Sequence, residues 1–400
     1  MANFITWILC YERKYAMNPL NPLFAIIVMT IAYITGYFLN QKIKNSHSKS
    51  RFETIDGLRG FLALAVFIHH STVWFQFIEE GNWRLPDSNL YIHFGETSVA
   101  LFFMITSFLF VTKLNHIKEN EFNWKVFFIS RFFRLAPMYY FSILLIFICV
   151  FQISNWSINT NLFTFTKSLF NWLTFTIIGR PDINNCVFTD KINAGVTWTL
   201  TYEWLFYFSL PIISFFISYK KPKVIFLIIS VLFIIFFTLH NIIQPYHIYA
   251  FIGGAIAPFL LKFDFINTKI KNNIASIIVI ICFLIIRQFS SAKNEYCILL
   301  TSIAFTLIAL GATLFGLLKT STLKFLGDIS YSTYLLHGII LFIIFHFIVS
   351  MENIKLFAPS EFSVLIFAIT PIIVIISYFC HRFIEKPFIT ANRAYTSKVK

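Results

Sequence analysis

The chain has 400 residues, of which 58% are hydrophobic and only 12% are charged, and its mean hydropathy is +0.73. This composition excludes an ordinary soluble globular protein and is typical of a chain that crosses a membrane several times. The net charge of +14 does not indicate a nucleic-acid partner, because the basic residues are scattered among membrane loops rather than concentrated in a basic domain.

Apolar runs separated by short polar loops predict the membrane-crossing helices of an all-α polytopic protein. These eleven predicted spans cover residues 23–39, 57–78, 97–112, 136–152, 196–218, 223–240, 246–261, 274–290, 296–318, 329–350 and 362–384. A basic linker that ends at residue 51 sets the first span apart, so we treat that span as an accessory helix. The run Leu169–Ile178 is too short to cross, and we expect an interfacial or re-entrant segment there.

The distribution of Lys and Arg among the loops predicts the orientation of the bundle. When the loops alternate across the membrane, 22 of these residues fall on one side and 9 on the other. Cytoplasmic loops carry the excess of basic residues. We therefore expect residues 1–51 to run from an extracytoplasmic N-terminus to a cytoplasmic linker, and residues 390–400 to form a cytoplasmic tail.

The stretch DGLRGFLALAVFIHH, residues 56–70, places ionisable side chains inside an apolar run. Arg59 and His70 are about three helical turns apart, so they lie on one stripe, about 16.5 Å from each other along the axis. His69 points roughly 80° to 100° away from that stripe and should face a neighbouring helix. Arg59 as an interfacial anchor and His70 as a packing residue are the alternatives, but ionisable residues within a membrane usually mark a site or pathway.

A second candidate, Glu203, is a carboxylate well inside an apolar span. If its helix enters from the outer surface near residue 196, Glu203 and His70 both lie about 10 Å below that surface. A carboxylate and an imidazole at one depth suit general-base catalysis, in which the carboxylate orients the ring and stabilises the imidazolium. The alternative is a Glu that pairs with an arginine or a tyrosine hydroxyl for packing alone.

Two further stretches carry polar groups at helical spacing. Arg131 and Arg134 are neighbours on a helix surface, just ahead of a span, and could clamp phosphates, although ordinary anchoring at the inner interface explains them equally well. Tyr331, Tyr334 and His337 line one side of another helix, where a hydrogen-bonded packing cluster is the alternative to a role with substrate. The other histidines lack metal-ligand spacing, and no metal site is predicted.

Four stretches in one order resemble the acyltransferase-3 family of integral-membrane O-acyltransferases. They are DGLRG with its arginine and histidine eleven positions apart, RFFRLAPMYY, WTLTYEW, and LGDISYSTYLLH followed by RFIEKPF. The resemblance covers residues 52–389. One departure is Ser107, which stands where family members usually have glycine and which bears on how closely two helices can approach.

The resemblance implies a core of ten transmembrane helices and an enzyme that transfers groups other than amino-acyl groups. The expected donor is cytoplasmic acetyl-CoA or another acyl-CoA, with no permanently bound cofactor. The expected acceptor is a hydroxyl of a carbohydrate, such as a cell-surface polysaccharide or its lipid-linked precursor, at a bacterial inner membrane.

The roles of site residues are assigned from their positions in the matching motifs. The resemblance implies catalytic roles for His70, Glu203 and Arg59, and donor binding by Arg131 and Arg134 together with Arg59. We add Trp198, Tyr331, Tyr334 and His337 as a polar cluster that contacts substrate or supports the structure.

A transporter or flippase of an anionic or lipid-linked substrate is the alternative function. It would use the same buried His, Glu and Arg side chains as a relay. The sequence contains no internal repeat and no paired broken spans, so we prefer the enzyme.

Overall fold

The computed structural model describes residues 17–43, 52–115, 122–217, 221–240, 242–261 and 272–398. Within these ranges the regular structure is helical, apart from one isolated β-bridge between Ile183 and Cys186. The first sixteen residues and most of the predicted linker lie outside the described residues, so the expectations for those segments stay predictions.

The described helices follow the predicted spans closely. They are α1 Pro22–Ile43, α2 Glu53–Glu80, α3 Asn89–Asn115, α4 Trp124–Ile153, α5 Leu162–Leu173, α6 Trp198–Ile217, α7 Val224–Leu239, α8 Pro245–Leu260, α9 Asn272–Ile286, α10 Glu295–Ala309, α11 Ser321–Asp328, α12 Ser330–Ile343, α13 Met351–Ile354, α14 Pro359–Cys380 and α15 Lys386–Lys398. The π-helical turns Ile344–Ile348 and His381–Glu385 continue α12 and α14. Each predicted span therefore overlaps a described helix.

Six of the described helices are long and apolar enough to cross a membrane. They are α1, α2, α3, α4, α12 with its π turn, and α14 with its continuation. Helices α7, α9 and α10 are apolar but shorter. The protein is thus an all-α polytopic membrane protein, as its composition and hydrophobic pattern predicted.

Two predicted boundaries are wrong in ways that matter for the site. Helix α4 begins at Trp124, twelve residues before the predicted start of the span at 136, so one continuous helix carries Arg131, Arg134 and the span. Helix α10 ends at Ala309, well before 318. The chain turns there through Gly311 and Gly316, which both adopt positive φ angles that glycine reaches without strain.

Contacts near the ends of helices define the two ends of the bundle. Lys324 Nζ lies 3.1 Å from Glu53 Oε1, and the Asn392 amide donates to the Ser130 hydroxyl at 3.0 Å. These contacts join the starts of α2 and α4 to α11 and α15, at the end that we call the basic end. At the opposite, far end, the Tyr91 hydroxyl donates to the carbonyl of Asn21 at 2.6 Å.

The departure at Ser107 does not keep its helix away from α8. A Cβ added at Gly254 of α8 would lie 2.2 Å from the carbonyl oxygen of Met104 and 2.3 Å from Ser107 Oγ. The two helices are therefore in backbone contact, and the glycine that permits this is on the partner helix.

Helix α5 is re-entrant. The ring centroids of Phe165 and Phe151 are 5.9 Å apart, and the Tyr139 hydroxyl donates to the carbonyl of Trp172 at 2.5 Å. Because the later residue on α5 meets the earlier one on α4, α5 runs back along α4 into the bundle. The segment after it continues inward, since the Phe175 ring stacks on that of Tyr139 at 4.6 Å. This decides between the two predicted alternatives.

The same segment places the start of α6 inside the bundle. The Thr176 hydroxyl donates to the carbonyl of Thr197 at 3.2 Å, and the Thr201 hydroxyl donates to the carbonyl of Thr176 at 3.3 Å. Since Phe175 already lies beside the middle of α4, the first turn of α6 lies there too. Helix α6 therefore does not begin at the far surface.

Candidate active site

A cavity of about 910 Å³ extends from the basic end into the bundle, a size typical of small-molecule sites. Helices α2, α3, α4, α6 and α12 form its walls. Polar side chains surround the mouth, and they include Glu53, Ser130, Lys324, Lys386 and Asn392. The cavity is thus accessible to a polar molecule from the basic end.

Three arginines and a carboxylate occupy the middle of the cavity. Arg59, Arg131 and Arg134 line it, and all three interact electrostatically with Glu203. The Tyr207 hydroxyl, one turn along α6, donates a hydrogen bond to Glu203. The Arg131 guanidinium also lies over the ring of Phe110, 5.1 Å from its centroid. Several guanidinium groups in one cavity form a strong anion site.

Arg134 is held by Glu385, whose side chain is 0% exposed. Arg134 Nη1 lies 3.0 Å from Glu385 Oε1 in an ion pair. The Ser332 hydroxyl donates to Glu385 Oε2 at 3.0 Å, and His381 Nδ1 lies 3.0 Å from the same oxygen. One buried carboxylate therefore joins α4, α12 and the π turn after α14.

The inner end of the cavity is apolar. Val99, Phe102 and Phe103 of α3 line it, together with Leu200 of α6 and Tyr334 of α12. The Tyr334 hydroxyl lies 3.0 Å from that of Thr199 and donates to the carbonyl of Val196 at 3.2 Å. The lining thus changes from polar at the mouth, through arginines, to aromatic and aliphatic side chains at the end.

His70 is paired with His337. His337 Nε2 lies 3.0 Å from His70 Nδ1, and the Nδ1 atoms of His337 and His70 each lie 3.1 Å from a main-chain carbonyl, of Thr333 and Val66 respectively. A carbonyl oxygen only accepts, so in the neutral rings both Nδ1 atoms carry the proton. His337 Nε2 is then an acceptor for the His70 Nδ1 proton, and His70 Nε2 is left unprotonated. The Val66 carbonyl and His337 Nε2 together therefore hold the proton on His70 Nδ1, which makes His70 Nε2 a proton acceptor.

The histidine pair lies beyond the inner end of the cavity rather than on its wall. The Tyr334 and His337 ring centroids are 6.2 Å apart, and only Tyr334 of these two lines the cavity. The chain leading into α6 closes the other side, because a Cβ added at Gly338 would lie 2.4 Å from the main-chain carbon of Asn193. Tyr334 thus stands between the cavity and the pair.

His69 faces α3, as its angle on the helix predicted. Its Nδ1 lies 2.7 Å from the carbonyl of Tyr91, and a Cβ added at Gly95 would lie 2.7 Å from its ring. His69 is therefore a packing residue whose ring fits the space that glycine leaves.

The expected contact between His70 and Glu203 does not form, and the prediction of matched depth is wrong. Glu203 bonds to Tyr207 and lies among arginines that include Arg59, whereas His70 is three turns further along α2. The depth was misjudged because residues 174–197 re-enter the bundle, which moves the start of α6 inward. His337 fills the orienting position that Glu203 was expected to take.

Of the other predicted residues, some line the cavity and others only pack against neighbouring side chains. Tyr331 lines the cavity and donates to the carbonyl of Leu135 at 3.0 Å. Trp198 packs against the ring of His247 at 4.7 Å, behind Phe103. Sequence reasoning missed Glu385, whose only signal was its place in the RFIEKPF stretch, and it gave no weight to Phe102.

These observations define a membrane protein with a polar cavity at its basic end that narrows toward a histidine pair. The sequence model of the acyltransferase domain called Acyl_transf_3 matches residues 52–382. The chain therefore belongs to the acyltransferase-3 family and is a membrane acyltransferase. Comparison with curated proteins and with solved structures gives no match.

Proposed function

We propose that the protein is an O-acyltransferase that moves an acyl group, commonly acetyl, from cytoplasmic acyl-CoA to a hydroxyl of a carbohydrate. The observation that carries this proposal is the change along one cavity from a charged mouth through Arg59, Arg131 and Arg134 to an apolar end beside His70 and His337. An acyl-CoA has the same order of chemistry, with phosphates at one end and an apolar acyl group at the other.

Donor binding follows from this order. The phosphates lie against Arg131 and Arg134, with Arg59 further along, because guanidinium groups bind phosphate oxygens through paired hydrogen bonds. The thioester then reaches the apolar end near Phe102. Glu203 acts on this donor side by balancing the three arginines, and any catalytic contribution from it passes through them.

The transfer step uses the unprotonated Nε2 of His70 as general base. This nitrogen accepts the proton of the acceptor hydroxyl while the oxygen attacks the thioester carbon, and the Tyr334 ring, which stands between the cavity and the pair, has to turn aside for this step. The carbon–sulfur bond breaks, and the CoA thiolate leaves and takes the proton back from the imidazolium. His337 shares the positive charge of that imidazolium through the bond to His70 Nδ1.

We assign the basic end to the cytoplasm of a bacterial inner membrane, because the loops at that end carry most of the Lys and Arg. The donor then enters from the cytoplasm. The acceptor carbohydrate approaches from the far end, where the re-entrant segment covers the histidine pair.

Labelled acetyl-CoA offered to the purified protein, with a membrane extract as acceptor source, tests the proposal. We expect a base-labile acyl ester with the wild type and its loss with His70→Gln, while acetyl-CoA binding persists. Unchanged ester formation in the His70→Gln variant would falsify the catalytic assignment. Movement of a substrate across vesicles without covalent change would favour the transporter instead.

A further inference from the structure

Lining residues on three helices mark the inner end of the cavity. The innermost lining residues are Val99 on α3, Thr199 on α6 and Tyr334 on α12, whereas on α2 nothing beyond Arg59 lines the cavity. The Phe102 and Tyr334 rings meet edge to face across this end, with centroids 6.0 Å apart. We call these two side chains the end wall.

The Tyr334 side of the end wall is fixed from behind. Tyr334 is tied at its hydroxyl to Thr199 and Val196, and the ring of His337 lies 6.2 Å from its own. Beside Phe102, the Phe103 ring stacks on that of Phe251 at 4.6 Å. A well-packed interior resists extra volume, because displaced side chains leave their preferred rotamers.

We propose that Phe102 and Tyr334 set the upper limit on the length of the transferred acyl group. This inference rests on the proposed function, in which the thioester lies at the apolar end of the cavity. With the acetyl group of the donor in front of the wall, each further methylene has to displace the Phe102 or the Tyr334 ring. The acyl chain therefore cannot lengthen in this direction without breaking contacts around Tyr334.

Binding of acetyl-, butanoyl- and hexanoyl-CoA to the purified protein in nanodiscs measures this limit without an acceptor. For the wild type we expect affinity to fall as the chain lengthens. Phe102→Ala removes one ring of the wall, and affinity should then rise by about fourfold for each methylene that enters the new space. Phe102→Leu keeps a large apolar side chain, so it should shift the limit on acyl-chain length by less. It replaces the alanine variant in this test if that variant does not fold.

Leu109→Ala is the matched control, because Leu109 lines the same face of the same cavity about two turns nearer the mouth. We expect it to retain the wild-type order of affinities. Equal wild-type affinity for all three thioesters, or equal broadening in Leu109→Ala and Phe102→Ala, would overturn the end wall while leaving the proposed function intact. A folded wild type that binds none of the thioesters would overturn both.

Discussion

The Glu385→Gln substitution keeps the size of a fully buried side chain and removes its charge. Glu385 pairs with Arg134 and accepts a hydrogen bond from Ser332. Removing one partner of a buried ion pair costs about 3–5 kcal/mol, because the other charge is left without compensation. The Arg134 side chain is 25% exposed to the cavity, so water partly solvates its charge, and we expect the lower end, about 3 kcal/mol.

The substitution should also weaken donor binding. Arg134 lines the cavity, and Glu385 fixes the direction in which its remaining N–H groups point. Without that ion pair the guanidinium has to be ordered when the donor binds, so KM for acetyl-CoA should rise by about tenfold, with a smaller change in kcat. The free energy of unfolding, from denaturant titration in mixed micelles, and the two kinetic constants check these expectations.

Glu352→Gln is the control for the loss of a carboxylate, since Glu352 is exposed at the start of α13. It should leave both the free energy of unfolding and KM unchanged. If Glu385→Gln is as stable as Glu352→Gln, the ion pair with Arg134 does not stabilise the fold. If stability falls but KM does not, Glu385 supports only the fold and does not position Arg134.

Three further substitutions test separate parts of the site. His337→Asn removes the side-chain acceptor of the His70 Nδ1 proton and leaves only the Val66 carbonyl, so kcat should fall by about 10² with acetyl-CoA affinity unchanged; an unchanged kcat would mean that His337 does not orient His70. Arg131→Lys keeps the charge but loses paired hydrogen bonding, so KM for acetyl-CoA should rise about tenfold, and an unaltered KM would remove Arg131 from the donor site. Gly338→Ala places a methyl group against the main chain of Asn193, so the unfolding transition should move to lower temperature; wild-type stability would show that this contact is loose.

The positions of side chains within one helix could be predicted from the sequence. The angle between His69 and His70 follows from helical geometry alone, and the structure places the two rings against different neighbours, Tyr91 and His337. Spacing also placed Arg131 and Arg134 on one helix face, and both line the cavity. These predictions needed only the period of the helix.

The positions of helices relative to each other could not be predicted in the same way. The depth of Glu203 depended on where α6 begins. Contacts of Thr176 with Thr197 and Thr201 fix that start, and Thr176 lies in the segment that we expected to be interfacial or re-entrant. Glu385 depends on a π turn, which moves its side chain out of the α-helical register of α14. In both cases contacts with distant parts of the chain determine where the side chain lies, and no local sequence pattern indicates that position.

The charges of the site explain how a lipid-embedded bundle can hold three arginines. Arg59, Arg131 and Arg134 face two buried carboxylates, Glu203 and Glu385, and Arg59 also interacts with Asp56 and Asp328. The three guanidinium groups still line the cavity together, so higher ionic strength should weaken donor binding to the wild type more than to a variant that lacks Arg131. Equal salt dependence in the two proteins would show that the donor's charge is bound elsewhere.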